Sequence, residues 1–155
     1  MNNIIIRKAK LEDLSTIQKL SKKLFIYETE VLGDDTFDID WPYKSGENYF
    51  KKAIENKLLL VAIIDDKMVG YISWFTYDNA ARKEKKHAEI DNIIVLDEYR
   101  NDGVGTRLIE EFKNICKKQE IKYLTVSTNM KNKNTISFYI KNGFEEYEIS
   151  LKQKI

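Results

Sequence analysis

Glu89 and Asp91 stand two residues apart, flanking the start of an apolar, β-branched run from Ile90 to Leu96. That run reads as a mostly buried strand. Side chains two apart on a strand share a face, so the two carboxylates are expected side by side. Ile93 and Val95 should share that face, with Ile90, Asn92 and Ile94 on the other. A carboxylate so placed can accept a proton directly or through a water, or act as counter-charge to a cationic substrate. Burial near Trp74 and Phe75 would raise its pKa toward neutrality. Immediately downstream, Asp97 to Asp102 is polar and turn-forming. Gly103-Val104-Gly105-Thr106 then opens a segment with Leu108, Ile109, Phe112, Ile115 and Cys116 at helical spacing.

A strand that feeds a glycine turn and then a helix N-terminus has a chemical use. The first N–H groups of a helix lack intrahelical partners, and the peptide dipoles leave partial positive charge there. Glycine lets an anion approach the backbone with no Cβ in the way. Arg100, three residues before Gly103, adds a cationic donor. The stretch therefore suits a phosphate or pyrophosphate; the structural alternative is a glycine-capped connection between a core strand and a core helix. It is not a dinucleotide fingerprint, because Leu108 occupies the place of the third small residue. It is not a P-loop either, because Gly-Lys-Ser/Thr is absent.

Val95-x-x-x-Tyr99-Arg100-x-x-Gly103-x-Gly105-x-x-Leu108 resembles the acyl-CoA-binding motif of the GCN5-related N-acetyltransferase (GNAT) superfamily. Downstream, Asn132-x-x-Thr135-x-x-Phe138-Tyr139-x-x-x-Gly143-Phe144 resembles the later motif of the same family, with Thr135 where Ala is usual. The resemblance implies transfer of an acetyl group from acetyl-CoA, a co-substrate, to a primary amine on a small cationic molecule, protein or peptide. It implies backbone N–H groups of Asn101, Asp102, Gly103, Val104, Gly105 and Thr106 around the pyrophosphate, with Arg100 alongside. Ile93, Ile94 and Val95 would pair with the pantetheine arm, and an N–H near Ile94 would stabilise an oxyanion. Tyr139 holds the position of the acid facing the CoA sulfur. Asn132 would contact the CoA arm or cap a helix. Glu89 matches the glutamate of the histone-acetylating members, and Asp91 a position where small-molecule members carry an acid, so the choice of base stays open. A non-catalytic acyl-CoA sensor of the same fold is the competing reading.

Composition excludes several other classes. The chain has 155 residues, with 26 basic and 25 acidic side chains and a net charge of +1, so neither a nucleic-acid nor a membrane partner is expected. The lone Cys116 falls on an apolar helix face and reads as an inert core thiol rather than a nucleophile. No His/Cys/carboxylate spacing suggests a metal. His87, the single histidine, is expected at a strand edge, exposed. Without a membrane-length apolar run or a signal-like N-terminus, a cytoplasmic location is the expectation. Glu28, Glu30, Asp34, Asp35, Asp38 and Asp40 lie in a stretch without Lys or Arg, followed by Trp41, Pro42 and Tyr43. That stretch is either a solvated loop or an acidic entrance attracting cationic amines.

The element order reads β-α-α-β-β-β-α-β-α-β, in one domain spanning 1–155. Its strands are expected at Ile4 to Ile6, Leu58 to Ile64, Met68 to Phe75, Ile90 to Leu96, Tyr123 to Ser127 and Phe144 to Leu151. The order implies a mixed α/β fold with helices on both sheet faces. The resemblance sharpens this to a mostly antiparallel sheet of six to seven strands, splayed at the middle strand, with a homodimer as the possible assembly.

Overall fold

A computed structural model describes residues 3–155. The elements run β1 (Ile5–Lys8), α1 (Leu14–Ile26), α2 (Ser45–Glu55), β2 (Leu59–Ile64), β3 (Lys67–Asp78), β4 (Lys86–Val95), α3 (Val104–Lys118), β5 (Tyr123–Val126) and α4 (Lys133–Lys141). The sheet order is β1-β2-β3-β4-β5. The first four strands are antiparallel, and β5 pairs parallel to β4. The β2–β3 turn needs only Asp65 and Asp66, both at left-handed φ of 48° and 58°, which matches the twist of a two-residue hairpin.

Helices cover both faces, as the strand composition demands. β2 is apolar throughout because each face meets a helix layer. Leu60, Ala62 and Ile64 join Val104, Leu108, Ile109 and Phe112 of α3 on one side. Leu59 and Val61 join Ile17 and Leu20 of α1, and Phe50 and Ala53 of α2, on the other. Trp74 and Phe112, with ring centroids 5.1 Å apart, anchor the α3 side. Truncating a ring such as Phe112 to Ala would cost about 3–5 kcal/mol. At the edge of the sheet Arg7 grips Asp13 with two bonds, of 2.8 and 3.0 Å, and the Lys10 N–H donates to Asp13 at 2.7 Å. These bonds tie β1 to the start of α1.

Two expectations change. The sheet has five strands, not six to seven, since Phe144 to Leu151 forms no ladder. Its alternation marks an amphipathic segment, but alternation does not supply a partner: Tyr147, Ile149 and Leu151 are 67%, 86% and 92% exposed. The second change is in β4. Ser73 pairs with Asn92 but Trp74 pairs with Ile90, so Asp91 is an extra residue in a bulge. The bulge breaks the period of two. Ile90 packs in the α3-side core while Ile94, four residues on, packs in the α1/α2-side core. Ile93 and Val95 therefore face α3, across the sheet from Glu89 and Asp91 rather than beside them.

The sheet splays at the same place. β5 pairs with β4 only over His87 to Ile90. Beyond Ile90 the β5 side of β4 has no neighbouring strand.

Candidate active site

The bulge and the splay decide which backbone groups are free. Leu96 N–H donates to Val69 O at 2.8 Å. Hydrogen-bonded pairs alternate along an antiparallel ladder, so Ile94, opposite Tyr71, also spends its groups on β3. Those of Ile93 and Val95 point instead into the opening beside β5. The position of Arg100 agrees, because its Nε reaches the Val95 carbonyl at 3.1 Å. Ile94, the centre of the expected oxyanion site, is thus occupied in the ladder, and the free amides are those on either side of it.

The turn that follows is built for an open helix start. Asn101 and Gly103 take left-handed φ of 66° and 81°. A Cβ on Gly103 would find no atom within 4 Å, so the backbone there is bare. No side chain caps α3, and its first internal bond is Arg107 N–H to Gly103 O at 3.0 Å. The N–H groups of Val104, Gly105 and Thr106 are therefore not used within the helix. Asn101, Asp102 and Gly103 are exposed, whereas Val104 is buried. Arg100 is not a free cation at this turn. It pairs with Asp97 at 2.7 Å while holding Val95 O, so it braces the strand end. Gly105 has a different reason from Gly103: a Cβ there would meet the Phe138 ring of α4 at 3.0 Å.

Tyr139 lies on α4, 6% exposed, in the same core as α3 and beside the Phe144 ring at 5.5 Å. Burial pushes its phenol above the ordinary value, so it stays protonated at neutral pH and keeps a proton to donate. Asn132 is buried, and its Oδ1 accepts the Thr135 N–H at 3.2 Å, the work of an N-cap. Gly143, at φ 86°, ends α4, and Phe144 N–H returns to Tyr139 O at 3.1 Å.

The carboxylates lie on the opposite face. Ala88 and Ile90 belong to the α3-side core, so Glu89 between them faces the α1/α2 side, with Phe75 as its cross-strand neighbour. Glu89 is half-buried, and Ser127 Oγ lies 3.5 Å from its Oε1. Asp91 is exposed, and Trp74 is across the sheet from it, so the apolar burial expected for it is absent. Asp91 is held instead by the Tyr49 hydroxyl of α2, which donates to Oδ2 at 2.5 Å, and by Asn92 Nδ2 at 2.7 Å. Burial first, then the Asp91 charge and hydrogen bond, push the Tyr49 phenol above its ordinary value, so it too remains a donor. The sequence offered no sign of this pairing, because Tyr49 sits 42 positions away on a helix where it reads as a core aromatic.

Other candidates fall away from the site. His87 is not an exposed edge residue: it is 8% exposed, stacked between Tyr77 and Tyr123, with Nε2 at 2.7 Å from Glu84 O. Cys116 is 1% exposed, and burial pushes its thiol up to about 12. Among the described residues no group of three or more His, Cys, Asp or Glu could hold a metal ion. No helix among them is long and apolar enough to cross a membrane. The acidic stretch meets lysines from elsewhere in the chain: Asp34 pairs with Lys152 at 3.4 Å, Asp38 with Lys44 at 2.8 Å and Asp40 with Lys22 at 2.7 Å. Glu28 is half-buried, and burial, then Asp34, raise its pKa. Three of the six carboxylates in that stretch are thus paired, so the field that the sequence suggested is partly compensated.

A splayed sheet with a bare helix N-terminus at the opening is the geometry of an acyl-CoA-dependent N-acetyltransferase. The model of the Acetyltransferase (GNAT) family matches residues 23–144, and the chain belongs to that family. A spermidine N(1)-acetyltransferase of Thermoplasma acidophilum is 26% identical over 153 residues, covering 92% of this chain and 89% of its own. An uncharacterized N-acetyltransferase of Methanocaldococcus jannaschii is 30% identical over 89 residues, 57% of this chain, and the chain spans only 39% of that relative's length. The crystal structure of the PaiA N-acetyltransferase from Thermoplasma acidophilum in complex with coenzyme A superposes with a TM-score of 0.80 at 24% identity, over 96% of this chain and 93% of that one.

Proposed function

We propose that this chain moves the acetyl group of acetyl-CoA to a primary amine carried by a small cationic molecule or a peptide. The observation that carries this reading is the opening between β4 and β5. Glu89 and Asp91 lie on its α1/α2 face and the free amides of Ile93 and Val95 at its edge, and Tyr139, packed in the α3-side core, would reach it from the other face. The amides of Val104, Gly105 and Thr106 would hold the diphosphate, and the bare Gly103 backbone lets it approach. The β4 edge at Ile93 and Val95 would take the amide-bearing pantetheine arm as a strand takes a neighbour.

An alkylammonium has a pKa of roughly 10, so the acceptor must lose a proton before it attacks. Glu89 takes that proton, and Asp91, fixed by its two hydrogen bonds, holds the ammonium beforehand. The amine nitrogen then bonds to the thioester carbon, and an N–H of Ile93 or Val95 stabilises the charge on the oxygen. As the C–S bond breaks, Tyr139 gives its proton to the departing sulfur, and the proton shed by the new amide nitrogen returns through water to the phenolate. The relative named for spermidine supports a cationic small molecule as acceptor. The test is thiol release from acetyl-CoA across a panel of amines, polyamines and peptides. Release with at least one amine supports the reading. Tight acetyl-CoA binding with no release for any amine would restore the sensor reading.

A further inference from the structure

We propose that Tyr49 is the positioning residue of the acceptor site: it fixes Asp91 by one oxygen, so that the other receives the ammonium of an amine whose aliphatic carbons lie along the Tyr49 ring. The proposal rests on the acetyl-transfer reading above. Three observations carry it.

The first is how firmly Tyr49 is placed. It lies on α2 in a three-ring cluster with Trp41 and Phe50, whose centroids are 5.5 and 5.2 Å away. Phe50 is fully buried, so this packing fixes the phenol before any substrate arrives. The second is how Asp91 is used. Both its donors, Tyr49 and Asn92, bond the same oxygen, Oδ2, and both are neutral. Oδ1 accepts no bond from the described residues, and no lysine or arginine among them pairs with Asp91. Asp34, Asp38, Asp40 and Glu84 each have a lysine. Asp91 is thus an exposed carboxylate at the sheet opening, oriented but without a cation. The third is a cleft that shares the Tyr49 ring. Tyr49, Lys52, Ala53, Asn56, Leu58 and Phe75 are among the residues lining a cleft of about 140 Å³. The ring that orients Asp91 also walls an apolar cleft. An aliphatic primary amine satisfies both, with its charge on Oδ1 and its carbons against the ring.

The experiment is a double-mutant cycle on the whole chain with an aliphatic primary amine and acetyl-CoA. Tyr49→Phe keeps the ring and its packing and removes only the donor. It should raise KM for the amine about tenfold, as for one lost hydrogen bond to a charged group, with kcat, acetyl-CoA affinity by calorimetry and melting temperature little changed. Asp91→Asn should raise KM at least as much. The double variant should be no worse than Asp91→Asn alone, because the two residues act as one unit. An unaltered KM in Tyr49→Phe overturns the proposal. So does multiplication of the two single effects, or a fall in acetyl-CoA affinity and melting temperature matching the loss in KM, which would make Tyr49 merely structural. A wild-type chain that acetylates no amine, while still binding acetyl-CoA, overturns the acetyl-transfer reading and this inference with it.

Discussion

Gly105 of α3 lies against the Phe138 ring of α4 so closely that a Cβ would come within 3.0 Å of both Cε2 and Cζ. One contact therefore joins the two sequence motifs. The second glycine of the first motif exists to admit the aromatic of the second, and Tyr139, the next residue along, is placed by the same packing. The role proposed for Tyr139 depends on that docking, because α4 is short and holds the tyrosine buried.

Gly105→Ala and Gly103→Val should fail in different ways. At Gly105 the new methyl gains up to ~1 kcal/mol of helix propensity but must displace a packed ring, a cost of about 1–3 kcal/mol. The expected result is a melting temperature lower by a few degrees, with turnover reduced through Tyr139. At Gly103 nothing blocks a side chain sterically. The left-handed φ of 81° and the loss of bare backbone make the valine costly there. Calorimetry should show acetyl-CoA bound at least tenfold more weakly to Gly103→Val; a wild-type dissociation constant would remove the turn from the binding site.

Tyr139→Phe should lower kcat by one to two orders of magnitude, roughly the worth of one positioned acid. Acetyl-CoA affinity should stay within about twofold. The raised phenol pKa carries a sign: the group is protonated at every pH the enzyme meets, so activity should not fall on the alkaline side through loss of this proton. Unchanged turnover in the variant would leave the sulfur without its proton donor from α4.

Cys116 should be silent chemically and audible structurally. With its thiol pushed up to about 12 and the side chain buried, a disulfide reagent should modify it only on unfolding. Cys116→Ser should keep kcat and lose about 1–3 kcal/mol of stability, because a hydroxyl is buried without a partner. Rapid modification of the native chain would contradict the core placement.

Asp13 predicts a pH dependence of stability. Burial alone would raise its pKa, but the Arg7 hydrogen bond, the Lys10 N–H and the Arg7 charge outweigh that and hold it below its ordinary 3.8. A carboxyl depressed in the folded state stabilises at pH above its ordinary value, and that contribution is lost as pH falls through the folded value. Asp13→Asn should therefore cost about 1–3 kcal/mol near neutral pH in denaturant titrations, from a partly buried Arg7 left without its partner. The gap to wild type should close below pH 3.8. A gap that is constant with pH would assign the loss to packing.

Much of this was legible in the sequence. Periodicity placed the helices and the first five strands, because one core on each sheet face demands it, and motif spacing located the turn at Gly103. What escaped were the long-range features. The bulge at Asp91 is invisible to a period-of-two argument and moved Ile93 and Val95 to the other face. Tyr49 joined the site through tertiary packing of α2, which no local spacing encodes. The acidic stretch looked unpaired because its lysines, Lys22, Lys44 and Lys152, lie outside it in the chain. Phe144 to Leu151 has a strand's alternation, but pairing requires a neighbour that alternation does not supply.

The proposed hold on the acyl donor is made by bare amides at the start of α3 and at the β4 opening. The most direct measurement is a backbone amide NMR titration with coenzyme A. The largest shifts should fall on Ile93, Val95, Gly103, Val104, Gly105 and Thr106, with Ile94 less affected because its groups are spent on β3. Saturable binding whose shifts bypass both the Gly103 turn and the β4 edge would place the coenzyme elsewhere and remove both from its binding site.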